Sequence, residues 1–400
     1  MRIFQVSLFH FPVNGGQQYL VDKIHCLLKT EGYQSYIIQP LTLRLLLSSY
    51  RTDFPNHLIG LPNIYTLIYQ IFQLLPRALR PRLFASYEEA LWRGFNFSLS
   101  LIPGFIFKHD DLIIVHYHFH YEPLMHINSR KYVFSHGVEW SRPPLTRLDI
   151  DKEKSLFRLL GLPIQCRPAK IIANDKDYIN EIKAVAKQVT RMLPASLYDF
   201  DSKIEYLPNA CDTNFFTPKQ PSPFSTANSD VIISCVRNIR PDRGILEAIE
   251  VHALLKEKGF RSILNIAGLY EPASPYYQRC RRLADLVGSV RFLGSISRFQ
   301  VRDLYHQSHV TLVPSQEKEG TSLSALESMA VGTPCVSTSI GGLADIPTFK
   351  ARSNSPCALA NAVIFVLENY ERISLEQMSE TRGKYGTETW SDRVIHLIQP

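Results

Sequence analysis

The sequence predicts an α/β chain built from two doubly wound domains, and three observations carry that prediction. The chain has 400 residues, which suits two or three domains. Over residues 231–338, strand-like runs alternate with stretches of helical apolar spacing, the pattern of a parallel sheet wrapped by crossover helices. Pro218, Pro221 and Pro223 crowd into one short stretch, which marks a semi-rigid connector. The expected partition is residues 1–216, a linker over 217–229, a second domain over 230–375 and a closing segment over 376–400.

The first domain opens as a βαβ unit. Residues 3–11 are apolar-rich and read as a strand. Gly15 and Gly16 open a helix in which Leu20, Ile24, Leu27 and Leu28 recur at helical spacing. Gly32 ends that helix, and residues 36–38 resume a strand. Residues 41–108 are rich in Leu, Ile, Phe and Tyr and read as two or three helices. Short apolar runs at 112–115, 131–135, 171–173 and 204–207 read as strands. In the second domain, strands are expected at 231–236, 263–267, 290–293, 310–313 and 335–338. Helices over 244–258, 276–287, 299–307 and 322–330 fall between them.

Composition narrows the function. Hydrophobic residues make up 45% and charged residues 20%, which excludes wholesale disorder. The net charge is +7, compatible with a phosphorylated metabolite or an anionic membrane. That excess is mild for a nucleic-acid binder, and no nucleic-acid partner is expected. The seven cysteines are scattered without a C-x-x-C pair, which argues against a disulfide framework and a structural zinc site. The N-terminus reads as a strand and turn rather than a secretory signal, and no run of about 18 apolar residues forms a spanning helix. A cytoplasmic location follows as the expectation.

Several groups of residues invite chemistry. Glu319 follows a strand end beside Gly320, and Glu327 lies on the helix that begins near Ser322. In a doubly wound sheet, ligands sit beyond the strand C-termini, and a helix N-terminus favours an anion. A surface helix acid and a dipole-stabilised helix start are the plainer readings of the same pair. Arg237 and Arg243 flank Pro241 between a strand end and a helix start, so they read as a diphosphate clamp or as solvated loop arginines. Gly16 permits close approach of a ligand to the backbone or makes a simple turn. His116, His118 and His120 alternate along a possible strand, as a metal-binding face or a polar strand end lining a cleft. His136 follows a strand end and reads as a hydrogen-bond donor to substrate or as a structural histidine. The D-x-D triplets at Asp149–Asp151 and Asp199–Asp201 lack a strand-end setting for a nucleotide-bound metal.

Together these motifs resemble the retaining GT-B glycosyltransferases of family 4, also called glycosyl transferases group 1. The resemblance is carried by residues 290–294, by Pro314–Ser315, and by Glu319-x7-Glu327 running on through Ser328–Met329–Ala330 to Gly332–Thr333–Pro334. Residues 341–346 and Pro208–Asn209–Ala210–Cys211–Asp212 resemble further family segments. The resemblance implies two Rossmann-like domains facing across a cleft, with the segment around Trp390 crossing back to the first domain. It implies a nucleotide-diphosphate sugar donor and neither metal nor other cofactor. Glu319 would sit by the transferred sugar and Glu327 would bind the nucleotide ribose. Arg237 and Arg243 would hold the diphosphate. Gly16, Gly320, Thr321, Ser322 and Leu323 would complete the donor site, and His136 would lie near sugar and acceptor. Arg243 stands where the family usually has lysine, Ala210 replaces a common glycine, Asp345 a glutamate and Asn174 a serine.

The acceptor that the resemblance implies is a glycan or a lipid-linked acceptor. Two uncharged stretches, 54–76 and 95–107, bracket Arg77, Arg80, Arg82 and Arg93. They read as a face that lies on an anionic membrane, making the protein peripheral, or as apolar residues packing the first domain's core. Other readings are an epimerase-like or non-catalytic sugar-nucleotide-binding protein, and a histidine-metal hydrolase using His116 and His118.

Overall fold

The computed structural model describes residues 1–8, 16–41, 57–73, 86–136, 147–162, 166–192, 201–218 and 230–399. The chain divides into two compact units. The first comprises Met1–Ala173 and Tyr178–Tyr206; the second comprises Asn174–Asp177 and Leu207–Pro400.

The first unit is built on β1 (Arg2–Val6), whose residues Ile3, Phe4 and Val6 are buried. After it come α1 (Gly16–Thr30), β2 (Gln34–Leu41), β3 (Leu58–Pro62), α2 (Ile64–Gln73), α3 (Tyr87–Ser100) and β4 (Leu112–His116). β5 (Arg130–Ser135), α4 (Arg147–Gly161), β6 (Lys170–Ala173), α5 (Lys176–Met192) and β7 (Ile204–Tyr206) complete it. The strands form one parallel sheet in the order β3-β2-β1-β4-β5-β6-β7. α1 buries Leu20, Val21, Ile24 and Leu28, the face its spacing predicted. α3 starts at Ser86, whose side chain accepts from Glu89 N, and buries Leu91, Phe95 and Leu99 one turn apart.

Two expectations for this unit change. Residues 41–108 hold an edge strand, β3, besides the helices α2 and α3. Its sequence contains Gly60 and Pro62, and an edge position tolerates a proline because one side of the strand has no ladder. The histidine run does not continue as a strand. β4 ends at His116, Tyr117 takes a left-handed φ of 78°, and His118–His120 turn as a 3-10 helix.

The second unit repeats the layout. Its elements are β8 (Val231–Val236), α6 (Ile245–Glu257), β9 (Ser262–Ala267), α7 (Pro275–Val287), β10 (Val290–Gly294), α8 (Arg298–Gln307) and β11 (Val310–Val313). After these come α9 (Leu323–Ala330), β12 (Cys335–Ser337), β13 (Phe349–Lys350), α10 (Pro356–Glu368), α11 (Tyr370–Tyr385) and α12 (Thr387–Ile398). The parallel sheet runs β10-β9-β8-β11-β12-β13, the same order of strands as the first six of the other unit. Ile233, Cys235, Leu264, Ile266 and Leu312 are buried beneath Ala248, Ile249 and Val363 of the covering helices. Each expected strand and helix of residues 231–338 is present within two residues of its expected bounds.

Candidate active site

The strand order of the second sheet reverses between β8 and β11, the place where a doubly wound sheet opens a crevice beyond its strand ends. Arg237 follows β8, and Ser315 follows β11. Arg237 donates from Nη2 to Glu319 Oε2 at 2.5 Å and to Ser315 Oγ at 2.9 Å, and from Nη1 to Ser322 Oγ at 3.1 Å. Arg243, at the end of a 3-10 turn over Pro241–Arg243, donates from Nη1 to the same Glu319 Oε2 at 2.5 Å. Ser315 donates to Glu319 Oε1 at 2.7 Å. The Arg237 and Glu319 side chains are each 8% exposed and Arg243 is 27% exposed. Burial pushes the Glu319 carboxyl up, but Arg237, Arg243 and Ser315 outweigh it and hold the group below its ordinary value. One carboxylate therefore sits between two guanidiniums, and Arg243 also pairs from Nε with Asp242 at 3.1 Å.

Two close approaches hold these loops together. Gly244 has φ 69°, and a Cβ there would lie 1.9 Å from the Pro314 carbonyl oxygen. Only glycine lets the loop after β8 pass that near the end of β11. Gly341 has φ 55°, and its Cβ would lie 2.4 Å from the Glu319 carbonyl oxygen. The next amide, Gly342 N, donates to that same oxygen at 2.7 Å, which pins the Glu319 loop from above.

α9 begins at Ser322, which makes no side-chain cap because its hydroxyl accepts from Arg237. The first amides of α9 thus have no side-chain cap from Ser322. Gly320 and Leu323 flank this start. Thr321 is tied elsewhere: its hydroxyl accepts from Asn209 N at 3.2 Å and donates to the Asn174 carbonyl, and its carbonyl accepts from Asn209 Nδ2 at 2.9 Å. Glu327 lies further along α9, where burial raises its carboxyl to about 7 against the pull of Arg298. Arg298 pairs with Asp212 at 3.0 Å and lies over the Phe215 ring at 4.4 Å.

Gly16 and His136 belong to the first unit. Gly16 is the first residue of α1, and the turn before it lies outside the described residues. His136 follows β5. Its Nε2 shares a 2.9 Å hydrogen bond with His116 Nδ1, and His116 Nε2 lies 3.1 Å from Gln5 Oε1. Burial lowers the His136 imidazole to about 3, so it is neutral at physiological pH. His118 goes to the Tyr178 hydroxyl at 2.8 Å and His120 to Asn96 Oδ1 at 2.6 Å. The three alternating histidines therefore serve three separate partners. Among the described residues no group of three or more His, Cys, Asp or Glu side chains is placed to hold a metal ion. Asp151 pairs with Arg93 at 2.8 Å; Asp199 lies outside the described residues, as do Arg77, Arg80 and Arg82.

The model of the glycosyl transferases group 1 family matches residues 217–386. This stretch is a group 1 glycosyltransferase domain. Among curated proteins no sequence relative matches the chain. Solved structures resemble it over nearly its whole length. A glycosyltransferase from Rickettsia africae has a TM-score of 0.69 at 15% identity, covering 99% of this chain and 97% of its own. Anabaena HepE in complex with UDP has a TM-score of 0.68 at 13% identity, covering 100% and 99%. A UDP-forming trehalose-phosphate synthase from Burkholderia xenovorans has a TM-score of 0.69 at 16% identity, covering 99% and 98%. The fold is the GT-B class expected from the motifs.

Around this site, sequence reasoning overlooked the supporting polar groups. Ser315 touches both Glu319 and Arg237, and its place directly beyond the strand beside β8 was the available signal. Asn209, which holds the Thr321 loop, stood in a recognised motif but had no role given to it. The setting of Glu327 among Tyr305, Arg298 and Asp212 depends on α8 and the segment after β7, which no local pattern links.

Proposed function

We propose that the protein transfers a hexose from a uridine-diphosphate sugar to a glycan or lipid-linked acceptor with retention of anomeric configuration. The observation that supports this most is the convergence of Arg237 and Arg243 on Glu319 at the strand-order reversal of a group 1 glycosyltransferase domain. The two guanidiniums suit the charge that grows on a departing diphosphate. The amides that open α9 add dipole to the same anion. Glu319 accepts hydrogen bonds from the donor's hexose hydroxyls while the arginines hold its orientation. Glu327 accepts from the ribose hydroxyls. UDP is favoured as the nucleotide because solved proteins of this fold were captured with it.

Transfer is a front-face displacement. The acceptor oxygen bonds to the anomeric carbon on the face the diphosphate leaves, and the acceptor proton passes to the departing phosphate oxygen. The products are the new glycoside and UDP. No side chain forms a covalent intermediate, and the acceleration comes from leaving-group stabilisation and positioning. His136, neutral and hydrogen-bonded to His116, and Gly16 are the first unit's candidates for contact with substrate. No helix of the described residues is long and apolar enough to cross a membrane. The protein works in the cytoplasm, peripherally on the membrane when its acceptor is lipid-linked.

A panel of UDP-, GDP- and ADP-glucose, scored for thermal stabilisation and for release of nucleotide, tests the reading. UDP-glucose should stabilise the protein most. Absence of stabilisation by all three would overturn it, and binding without turnover would favour a sugar-nucleotide-binding protein.

A further inference from the structure

The uncharged stretches of the first unit are not all core. Phe95, Leu99 and Phe107 are buried, but α2, the end of α3 and the turn after it leave large apolar side chains in solvent. Leu101 is 64% exposed and Phe105 is 89% exposed. Such grouped exposure marks an interaction site. Beneath Leu101 lies a pocket of about 480 Å³, walled by Phe4 of β1, Ile38 of β2, Ile59 and Leu61 of β3, and Phe97 of α3. That is the size of a small-ligand site.

The wall chemistry selects the ligand. Ser98 is the one polar side chain in the lining, and its hydroxyl lies between the carbonyls of Gly94, at 3.0 Å, and Pro62. Among the described residues the lining side chains therefore offer no free donor and a single hydroxyl oxygen as acceptor, so a sugar, a peptide backbone or a nucleotide would lose most of its water without compensation. A single hydrocarbon chain loses nothing there.

We propose that this pocket holds one hydrocarbon chain of a lipid-linked acceptor. The inference rests on the glycosyltransferase reading and commits its acceptor to the lipid-linked class. The test uses the whole chain and cis-parinaric acid, a linear fluorescent fatty acid. Saturable one-site binding is expected, displaced by octyl glucoside and not by methyl glucoside. Leu101→Glu and Ile64→Glu place a carboxylate at exposed positions of the lining and should each weaken parinarate binding at least tenfold. The thermal shift produced by UDP should be unchanged in both variants. Absence of saturable binding, wild-type affinity in both variants, or equal displacement by methyl glucoside would overturn the pocket. A wild-type protein that binds parinarate but is not stabilised by UDP would instead count against the donor reading on which it rests.

Discussion

Replacing Glu319 separates its two duties. In Glu319→Ala, Arg237 and Arg243 lose the carboxylate they share at 2.5 Å, and Ser315 loses its acceptor. Two unit charges about 4 Å apart attract by roughly 4 kcal/mol at an effective dielectric near 20. Desolvation already offsets much of this in the folded protein, and Arg243 is exposed enough for water to replace part of its partner. Breaking a buried pair by removing one member costs about 3–5 kcal/mol, and partial exposure of Arg243 places this case at the lower end, about 3 kcal/mol. For a unit of this size that lowers Tm by roughly 6–12 °C. Diphosphate affinity should move the other way, because the two guanidiniums no longer share a competing anion. Calorimetry of the ligand-free variant, a UDP titration and a transfer assay measure the three consequences. The expected pattern is a lower Tm, UDP binding equal to or tighter than wild type, and transfer reduced about 100-fold or more. A variant that keeps full transfer, or loses UDP binding while remaining folded, would refute the placing of Glu319 beside the sugar.

Three further outcomes are expected. Arg243→Lys should retain transfer within about tenfold because the charge remains, whereas Arg243→Ala should lose about 100-fold or more in kcat, read by nucleotide release. Glu327 is raised to about 7, so its carboxylate forms as pH rises through that value. Donor KM should therefore fall between pH 6 and 8, with about a tenth of the protein competent at pH 6, and Glu327→Gln should abolish that dependence. His136 is lowered to about 3, below the roughly 6.5 of an unfolded chain, so the unfolded state takes up the proton first as pH falls. Denaturation midpoints should drop below about pH 6.5, with His136 contributing up to about 1.4 kcal/mol per pH unit, and His136→Phe should flatten that slope.

The second unit was legible because its central strands β8, β9, β11 and β12 are largely buried and read as short apolar runs. The arginine pair and Glu319 were visible as residues at strand ends, but their sharing of one carboxylate oxygen was not. That contact joins β8 to β11 across intervening elements, and no periodicity encodes it. The first unit was harder to read for a physical reason. β3 is a short edge strand containing Gly60 and Pro62, and its apolar residues line a pocket instead of alternating between core and solvent. The histidine run misled because alternation assumes an extended chain, and Tyr117 breaks the extension with its left-handed φ. Arg93, grouped by sequence with the basic face, is engaged by Glu89 and Asp151.

The shared strand order has a consequence for how the site is assembled. In each sheet the first strand made is a central one, and later strands add first on one side of it and then on the other. For the second sheet, the early half, β8 to β10, brings Arg237 and Arg243. The late half, β11 to β13, brings Ser315, Glu319 and the opening of α9. A nascent chain that has emerged only as far as β10 carries both cations, with Asp242 beside Arg243 but without the Glu319 they share. The Arg237–Arg243–Glu319 cluster is thus a seam between two halves of synthesis, and it is complete only when the second half has docked on the first.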